Sequence, residues 1–361
     1  MTDVNQLTTE ALDLLMQLIS VPRISRSESE AADIVARFLS SRGMNVHREA
    51  NNVWVIASGY DAKRPTLLLN AHIDTVKPAA AWTRDPFSPL LAGDCLYGLG
   101  ANDDGASLVS LIQTFRVLSS HPQPYNLIML ASAEEEVSGV DGLSRVVPLL
   151  PSVDVALVGE PTGMQPAVAE RGLMVLDCTA IGKAGHAARN EGINAIYIAM
   201  QDIEWIRSYR FEHVSALLGP VKMTTTIINS GTQHNVIPDS CTFTVDVRSN
   251  EFYSNEEIYN KVRACVKSNV QARSFRLGSS HIDIAHPLVR SALALGALPD
   301  GTPRRTFGSP TLSDQALMPW PSLKMGPGDS ARSHTANEFI YISELRQAIR
   351  EYISMLDGLV L

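Results

Sequence analysis

"NLIMLASAEEEVSG", residues 126–139, runs from an unbroken apolar stretch straight into three consecutive glutamates. Leu127 to Ala131 show no polar alternation, as expected of a strand buried on both faces of a parallel sheet. Glu134, Glu135 and Glu136 then stand where that strand should end. Carboxylates so close in a dry place repel one another until solvent, a proton or a cation relieves them. A solvated loop, or the first turn of a helix, is the simplest relief. What else the chain brings to the same place decides between these readings.

The same strand texture recurs at "VWVIAS", "PTLLLNA" and "VDVALVGEPTG". Between and before these strands lie helical periodicities. "TTEALDLLMQLIS" reads as a helix behind a Thr cap, and "SESEAADIVARFLSSRG" opens with Ser27 and Glu30 in capping-box register and stops at Gly43. "NDDGASLVSLIQTFRVLSS" reads as a helix starting near Asp103. Continuous apolar strands alternating with helices predict an α/β fold, a mostly parallel sheet covered by helices on both faces.

From residue 171 to residue 278 the pattern changes. "GLMVLDCTAIG", "KMTTTIINSG" and "CTFTVDVRS" alternate apolar and polar positions, with helices at "GINAIYIAMQDIEWIRS" and "SNEEIYNKVRACVKSN" and a weaker strand at "ARSFRLG". Strand, helix, strand, strand, helix, strand is the order of a ferredoxin-like α+β unit. The first texture returns at "PSLKMGPGDSARSHTANEFI" and closes with the helix "SELRQAIREYISML". The expectation is a larger domain built from residues 1–170 and 279–361, with residues 171–278 inserted into it.

With 361 residues, two domains fit better than one. Apolar content of 45% with 19% charged residues describes a soluble globular chain. A formal net charge of −8 and the lack of basic runs interleaved with aromatics argue against nucleic acid as a partner. No stretch is apolar for long enough to cross a bilayer, and "MTDVNQLTTEALDLL" lacks the basic flank of a signal peptide. Cys95, Cys178, Cys241 and Cys265 are scattered without metal-binding spacing, and isolated cysteines usually sit reduced in a core. A cytoplasmic location is therefore expected.

Functional groups of open α/β sheets gather beyond the carboxyl ends of the strands. There the sequence places His72 and Asp74 after "TLLLN", the three glutamates after "LIMLASA", Glu160 after "DVALV", and His334 past the glycine turn after "SLKMG". Asp103 heads a helix after "YGLG". Singly, each has a bland explanation: a loop histidine, a strand-ending Glu-Pro, an N-capping Asp. "GLGAND" is not a dinucleotide loop, because an acid at its third glycine position repels a pyrophosphate. Together these groups predict a divalent metal site. Imidazole and carboxylate donors without thiolate suit Zn²⁺ first, then Co²⁺ or Mn²⁺. Asp74 shares a strand face with His72 and can accept its second ring N–H, which makes it a support rather than a ligand. The remaining ligands exceed the needs of one tetrahedral ion; two ions, roughly 3.5–4 Å apart and sharing a carboxylate, fit them better.

"NAHIDTV", "WTRDPFSP", "LYGLGANDDG", "ASAEEEVSG", "VGEPTG", "KAGHAARNEGINAI", "NVIPD" and "HTANEF", in this order, resemble the dinuclear metallopeptidase and deacylase family. That family includes acetylornithine deacetylase, succinyl-diaminopimelate desuccinylase, aminoacylase and glutamate carboxypeptidase; "LYGLG", "VGEPT" and the chain length tilt the likeness towards acetylornithine deacetylase. The resemblance implies a zinc-exopeptidase-like sheet with an inserted dimerisation domain. It implies one metal on His72 and Glu160, a second on Glu136 and His334, Asp103 as the bridge and Glu135 as general base. It also implies a cis peptide between Asp103 and Asp104, and His186 lent across a homodimer to the reacting carbonyl. One departure stands out: relatives often carry Lys-Gly where this chain has Gly105 and Ala106.

Arg248, at the end of "TFTVDVR", is placed to grip a substrate carboxylate, and Asn235 of "HNVIP" can reach the same pocket across the dimer. The implied activity is metal-dependent removal of an acetyl or succinyl group from an amino acid such as ornithine or citrulline, as in arginine biosynthesis. Succinyl-diaminopimelate desuccinylation and dipeptidase or carboxypeptidase action use the same machinery. An inactive binding module is disfavoured, because every implied ligand and Glu135 are present.

Overall fold

The structure is a computed structural model and describes residues 3–189 and 191–361. The chain divides into two compact units. One comprises residues up to Val168 together with His281–Phe307 and Ser313–Leu361; the other comprises Ala169–Ser280 and Gly308–Leu312.

Four parallel strands organise the first unit, in the order Asn126–Ser132, Thr66–His72, Val155–Val158, Ser322–Lys324. Leu67, Leu68 and Leu69, like Leu127 to Ala131, are buried, which explains their lack of alternation. On one face Leu68, Ile128, Leu130, Ala156 and Val158 pack with Leu143 and Val146 of a short helix. Helix Ala106–Leu118 packs on the sheet and against helices Val4–Ile19 and Ile342–Leu356. The terminal helix is pinned by polar bonds: the Tyr352 hydroxyl donates to the Met325 carbonyl at 2.6 Å, and that of Tyr125 to the Leu356 carbonyl at 2.8 Å.

The register matters for the site. His72 pairs opposite Ser132, so the ends of the two central strands are level. The Ile73 amide donates to Ser132 and the Gly159 amide to Asn70, which keeps the segments leaving three strands side by side.

An antiparallel hairpin, Val46–Glu49 with Asn52–Ile56, extends the sheet beyond Asn126–Ser132. Its outer strand, "VHRE", has no apolar run to announce it. A separate three-stranded sheet joins Leu90–Ala92, Cys95–Tyr97 and Phe339–Tyr341, pairing Phe339 with Tyr97. This pairing brings the glycine turn "YGLG" beside the residues that follow His334.

Helix starts differ from the sequence reading. The first helix begins at Val4, where the Asp3 carboxylate accepts the Asn5 amide; Thr8 lies inside it and bonds back to the Val4 carbonyl. The Ser27–Glu30 capping box does not form: the second helix starts at Ser29, and the Glu28 carboxylate turns back to the Arg26 amide. The third begins at Ala106, after a wide turn over Ala101–Gly105 that contains a cis Asp103–Asp104 peptide, as the resemblance implies.

The second unit is an antiparallel sheet ordered Lys222–Ser230, Ser240–Arg248, Met174–Ile181, Asn269–Ala272, with helices Ala195–Ser208 and Asn255–Cys265. Chain order and sheet order are those of a ferredoxin-like unit. Its last strand is Asn269–Ala272 rather than "ARSFRLG", because Val270 and Ala272 pack on the core of this unit while Arg273 turns to Asp177. Cys178 and Cys241 lie in that core; Cys265 is exposed, against the expectation for an isolated cysteine. Among the described residues no helix is long and apolar enough to cross a membrane.

Candidate metal centre

The ends of the parallel strands carry the acid and imidazole groups into one cluster. His72 ends its strand buried, with Nε2 3.2 Å from Asp103 Oδ1 and 3.8 Å from Glu135 Oε2. His334, more exposed, has Nε2 2.9 Å from Glu136 Oε2 and 3.7 Å from Asp103 Oδ2. Asp103 thus turns one oxygen to each histidine. Donor atoms of His72, Asp103 and Glu136 lie within 4.8 Å of one another, and so do those of His72, Glu135 and Glu160. Nitrogen and oxygen donors without sulfur suit borderline divalent ions; the two sets share His72, so the second imidazole that a pair of ions needs is His334, at the other oxygen of Asp103. The residues present fit such ions.

The glutamate triplet is held in shape by its neighbours. Asp74 Oδ1 accepts the Glu135 amide at 3.0 Å, and Oδ2 accepts the Glu136 amide at 3.2 Å and the Ser25 hydroxyl at 2.7 Å. Its role therefore differs in detail from the sequence expectation. The closer acceptor for His72 Nδ1 is the Asp74 backbone carbonyl, at 3.0 Å, with the Asp74 carboxylate 3.4 Å away. Glu134 adopts a left-handed conformation, φ 55°, so that its carbonyl accepts the Gly139 amide and the turn closes. A Cβ at Gly139 would meet the Glu134 side chain, so only glycine fits there.

Burial sets the protonation of this cluster. It pushes Glu135 and Glu160 well above the usual carboxylate range, and neighbouring carboxylates add to both shifts, against His72 near Glu135 and Lys324 near Glu160. It also raises Asp104 to about 7. For His72 burial acts against the charge, but Glu135, Asp103 and Asp74 outweigh it and hold the imidazole well above its ordinary value. In Asp74 and Asp103 burial is likewise outweighed, chiefly by hydrogen bonding to His72, and both sit below their ordinary value. Added positive charge beside Glu135, Glu160 and Asp104 would favour their ionised forms against this burial.

Three buried groups at the centre were not singled out by sequence. Arg23 donates from Nη1 to the Ile73 carbonyl and from Nη2 to the Gly100 carbonyl, both at 2.7 Å. Glu338 accepts the amides of Gly100, Asn102 and Asp103, and burial raises it to about 7. Asp314 accepts the Ser132 hydroxyl at 2.5 Å and is raised by burial to about 6. A lone Arg after Pro and an acid after Ser read as loop and cap; Glu338, inside "HTANEF", was the most findable of the three.

The remaining candidates stand in the second unit. His186 pairs with Val236 across two short strands, its Nδ1 accepting the Ala188 amide at 3.1 Å, and the Asn235 carbonyl accepts the Ala187 amide at 2.9 Å. The structure thus puts His186 and Asn235 together. Arg248 already holds a carboxylate: Nε and Nη2 grip Asp246 at 2.9 and 3.2 Å, because residues two apart share a strand face.

Two protein families match the chain: peptidase family M28 over residues 52–156 and a peptidase dimerisation domain over residues 168–273. A succinyl-diaminopimelate desuccinylase of Halorhodospira halophila is 26% identical over 97% of this chain and 98% of its own length. An acetylornithine deacetylase of Proteus mirabilis is 25% identical over 95% of both chains. Among solved structures, a dinuclear metal binding peptidase from the M20 family of Bacillus subtilis shares the fold, with a TM-score of 0.72 at 17% identity over 98% of both chains.

Asp104 and Glu338 have folded values near 7 against ordinary values of 3.8 and 4.5, so the folded chain binds more protons than the unfolded one between about pH 4 and 7. His72, raised in the fold, adds stability that is lost as pH climbs past its ordinary 6.5. Both signs agree. The chelated protein should melt at progressively lower temperature from pH 5 to pH 8 in scanning calorimetry, and saturating Zn²⁺ or Co²⁺ should flatten that slope.

Proposed function

As this chain is a metal-dependent amide hydrolase related to the M20 peptidases and amino acid deacylases, we propose that it removes an acetyl or succinyl group from the amine of an amino acid such as ornithine or citrulline. The observation that supports the site's part in this is the division of Asp103 between His72 and His334, with Glu135 beside them. When bound, two divalent ions supply Lewis acidity, acidifying a water and polarising the amide carbonyl. His72 and Glu160 would hold one ion, Glu136 and His334 the other, and Asp103 both.

Glu135 acts on the proton. Its carboxylate accepts a proton from the attacking water as the water oxygen bonds to the acyl carbon. The C–N bond then breaks, and Glu135 returns that proton to the departing amine, which leaves a free acid and an amino acid. Asp74 keeps the carboxylate in reach by holding the Glu135 and Glu136 amides. His186 of a second copy would donate to the carbonyl oxygen as negative charge grows there. Asn235, next to it in the fold, would contact the substrate in the same pocket. Arg248 would meet a substrate carboxylate only by sharing its guanidinium with Asp246.

Desuccinylation of diaminopimelate is the second reading, favoured by the name of the Halorhodospira relative, and peptide cleavage is the third. Turnover on N-acetyl- and N-succinyl-ornithine, N-acetylcitrulline, N-succinyl-diaminopimelate and dipeptides separates them. A preference for an acylated ornithine or citrulline sustains the proposal. A preference for either of the other classes replaces it.

Two variants test the roles. Glu135→Ala should retain its metal content while kcat falls by about 10²–10⁴; near-normal turnover removes the proton-transfer assignment. His186→Ala should lose about 10²–10³ in rate. Mixing it with Glu135→Ala should restore part of the activity, because one site of each mixed dimer then has both groups intact. Absence of recovery argues against a site shared between subunits.

A further inference from the structure

Asp103 sits in a loop, and a loop is a poor place for a group that must face two ions within a few tenths of an ångström. Two buried polar side chains from elsewhere in the chain, Glu338 and Arg23, hold it. Glu338, 2% exposed, accepts the Asn102 and Asp103 amides on Oε1 at 2.8 and 2.9 Å and the Gly100 amide on Oε2 at 2.9 Å. Its backbone carbonyl takes the Gly98 amide at 3.1 Å. Arg23, 1% exposed, bonds the Gly100 carbonyl with one prong and the Ile73 carbonyl with the other. Its own carbonyl accepts the Thr75 amide at 2.9 Å.

The connectivity is specific. Ile73 follows His72, Gly100 leads into Asp103, and Glu338 lies four residues after His334. Each charged side chain thus ties the Asp103 loop to the segment carrying one histidine. Asn102 adds a third tie: its side chain exchanges bonds at 3.1 Å with both the amide and the carbonyl of Asp329, upstream of His334. The close approach of Arg23 leaves no room at Gly100, where φ is 72° and a Cβ would stand 2.3 Å from Nη2. A neutral acceptor would satisfy these amides at smaller desolvation cost. What the charged groups add is short, strong, directional bonding.

Building on the reading of this site as a two-ion centre, we infer that Glu338 and Arg23 are positioning residues that set the Asp103 carboxylate between the His72 and His334 segments. They touch neither substrate nor reacting atoms and act through the backbone of the loop. Gln at 338 keeps one acceptor oxygen and turns an NH₂ against an amide N–H, so the carboxylate's two-sided grip is lost. Lys at 23 keeps the charge but cannot span two carbonyls in the fixed fork of arginine.

The test is equilibrium dialysis of the full chain against buffered Co²⁺, with metal content per chain measured for the parent, Glu338→Gln and Arg23→Lys, and with melting of each metal-free protein. Both variants should bind Co²⁺ about 10–100-fold more weakly than the parent, as supports of metal ligands do. Parental affinity in both overturns the inference while the site reading stands. A lower melting temperature with unchanged Co²⁺ affinity also overturns it, since it marks a role in stability alone. If Glu338→Gln does not fold, Arg23→Lys decides. A parent chain that binds no Co²⁺ ends the site reading, and the inference with it.

Discussion

One carboxylate, that of Asp103, faces two imidazoles at once, with Oδ1 3.2 Å from His72 and Oδ2 3.7 Å from His334. The first unit is arranged so that this is possible. Parallel strands must all point the same way, so their carboxyl ends share an edge, and the level register of His72 with Ser132 puts the ligand segments side by side. The small sheet that pairs Phe339 with Tyr97 then draws the His334 segment to the Asp103 loop.

The electrostatics follow from that crowding. Glu135, Glu136, Glu160, Asp74, Asp103 and Asp104 gather around one buried histidine, and burial raises several of them because water is not there to solvate them. Hydrogen bonds solve part of the problem: Asp74 spends both oxygens on amides and a hydroxyl, and its ionised form is favoured. Glu135 and Glu160 have no comparable set of amide donors among the described contacts.

Much of this was legible in the amino-acid order. Long apolar runs betray strands buried on both faces, and His72, Glu135, Glu136 and Glu160 stand out as the charged or imidazole groups that follow close on the ends of those runs. The second unit was legible through the change from continuous apolar runs to partly alternating strands, clearest in "CTFTVDVRS". What escaped depends on contacts between distant segments. Nothing near Arg23 in "VPRIS" says that its guanidinium reaches Ile73 and Gly100, and nothing in "TLSDQ" says that Asp314 meets Ser132. Helix starts shifted for a local reason: Asp3 outcompetes Thr8 as a cap, and Glu28 spends its carboxylate on the Arg26 amide.

Whether paired cations complete this pocket can be read, without any substrate, by anomalous diffraction from crystals grown with Zn²⁺ and recorded on both sides of the zinc absorption edge. Two peaks about 3.5–4 Å apart, one on each side of the Asp103 carboxylate, are the expected result. A single peak remote from Asp103, or none in a crystal whose protein is otherwise well ordered, contradicts the two-ion reading.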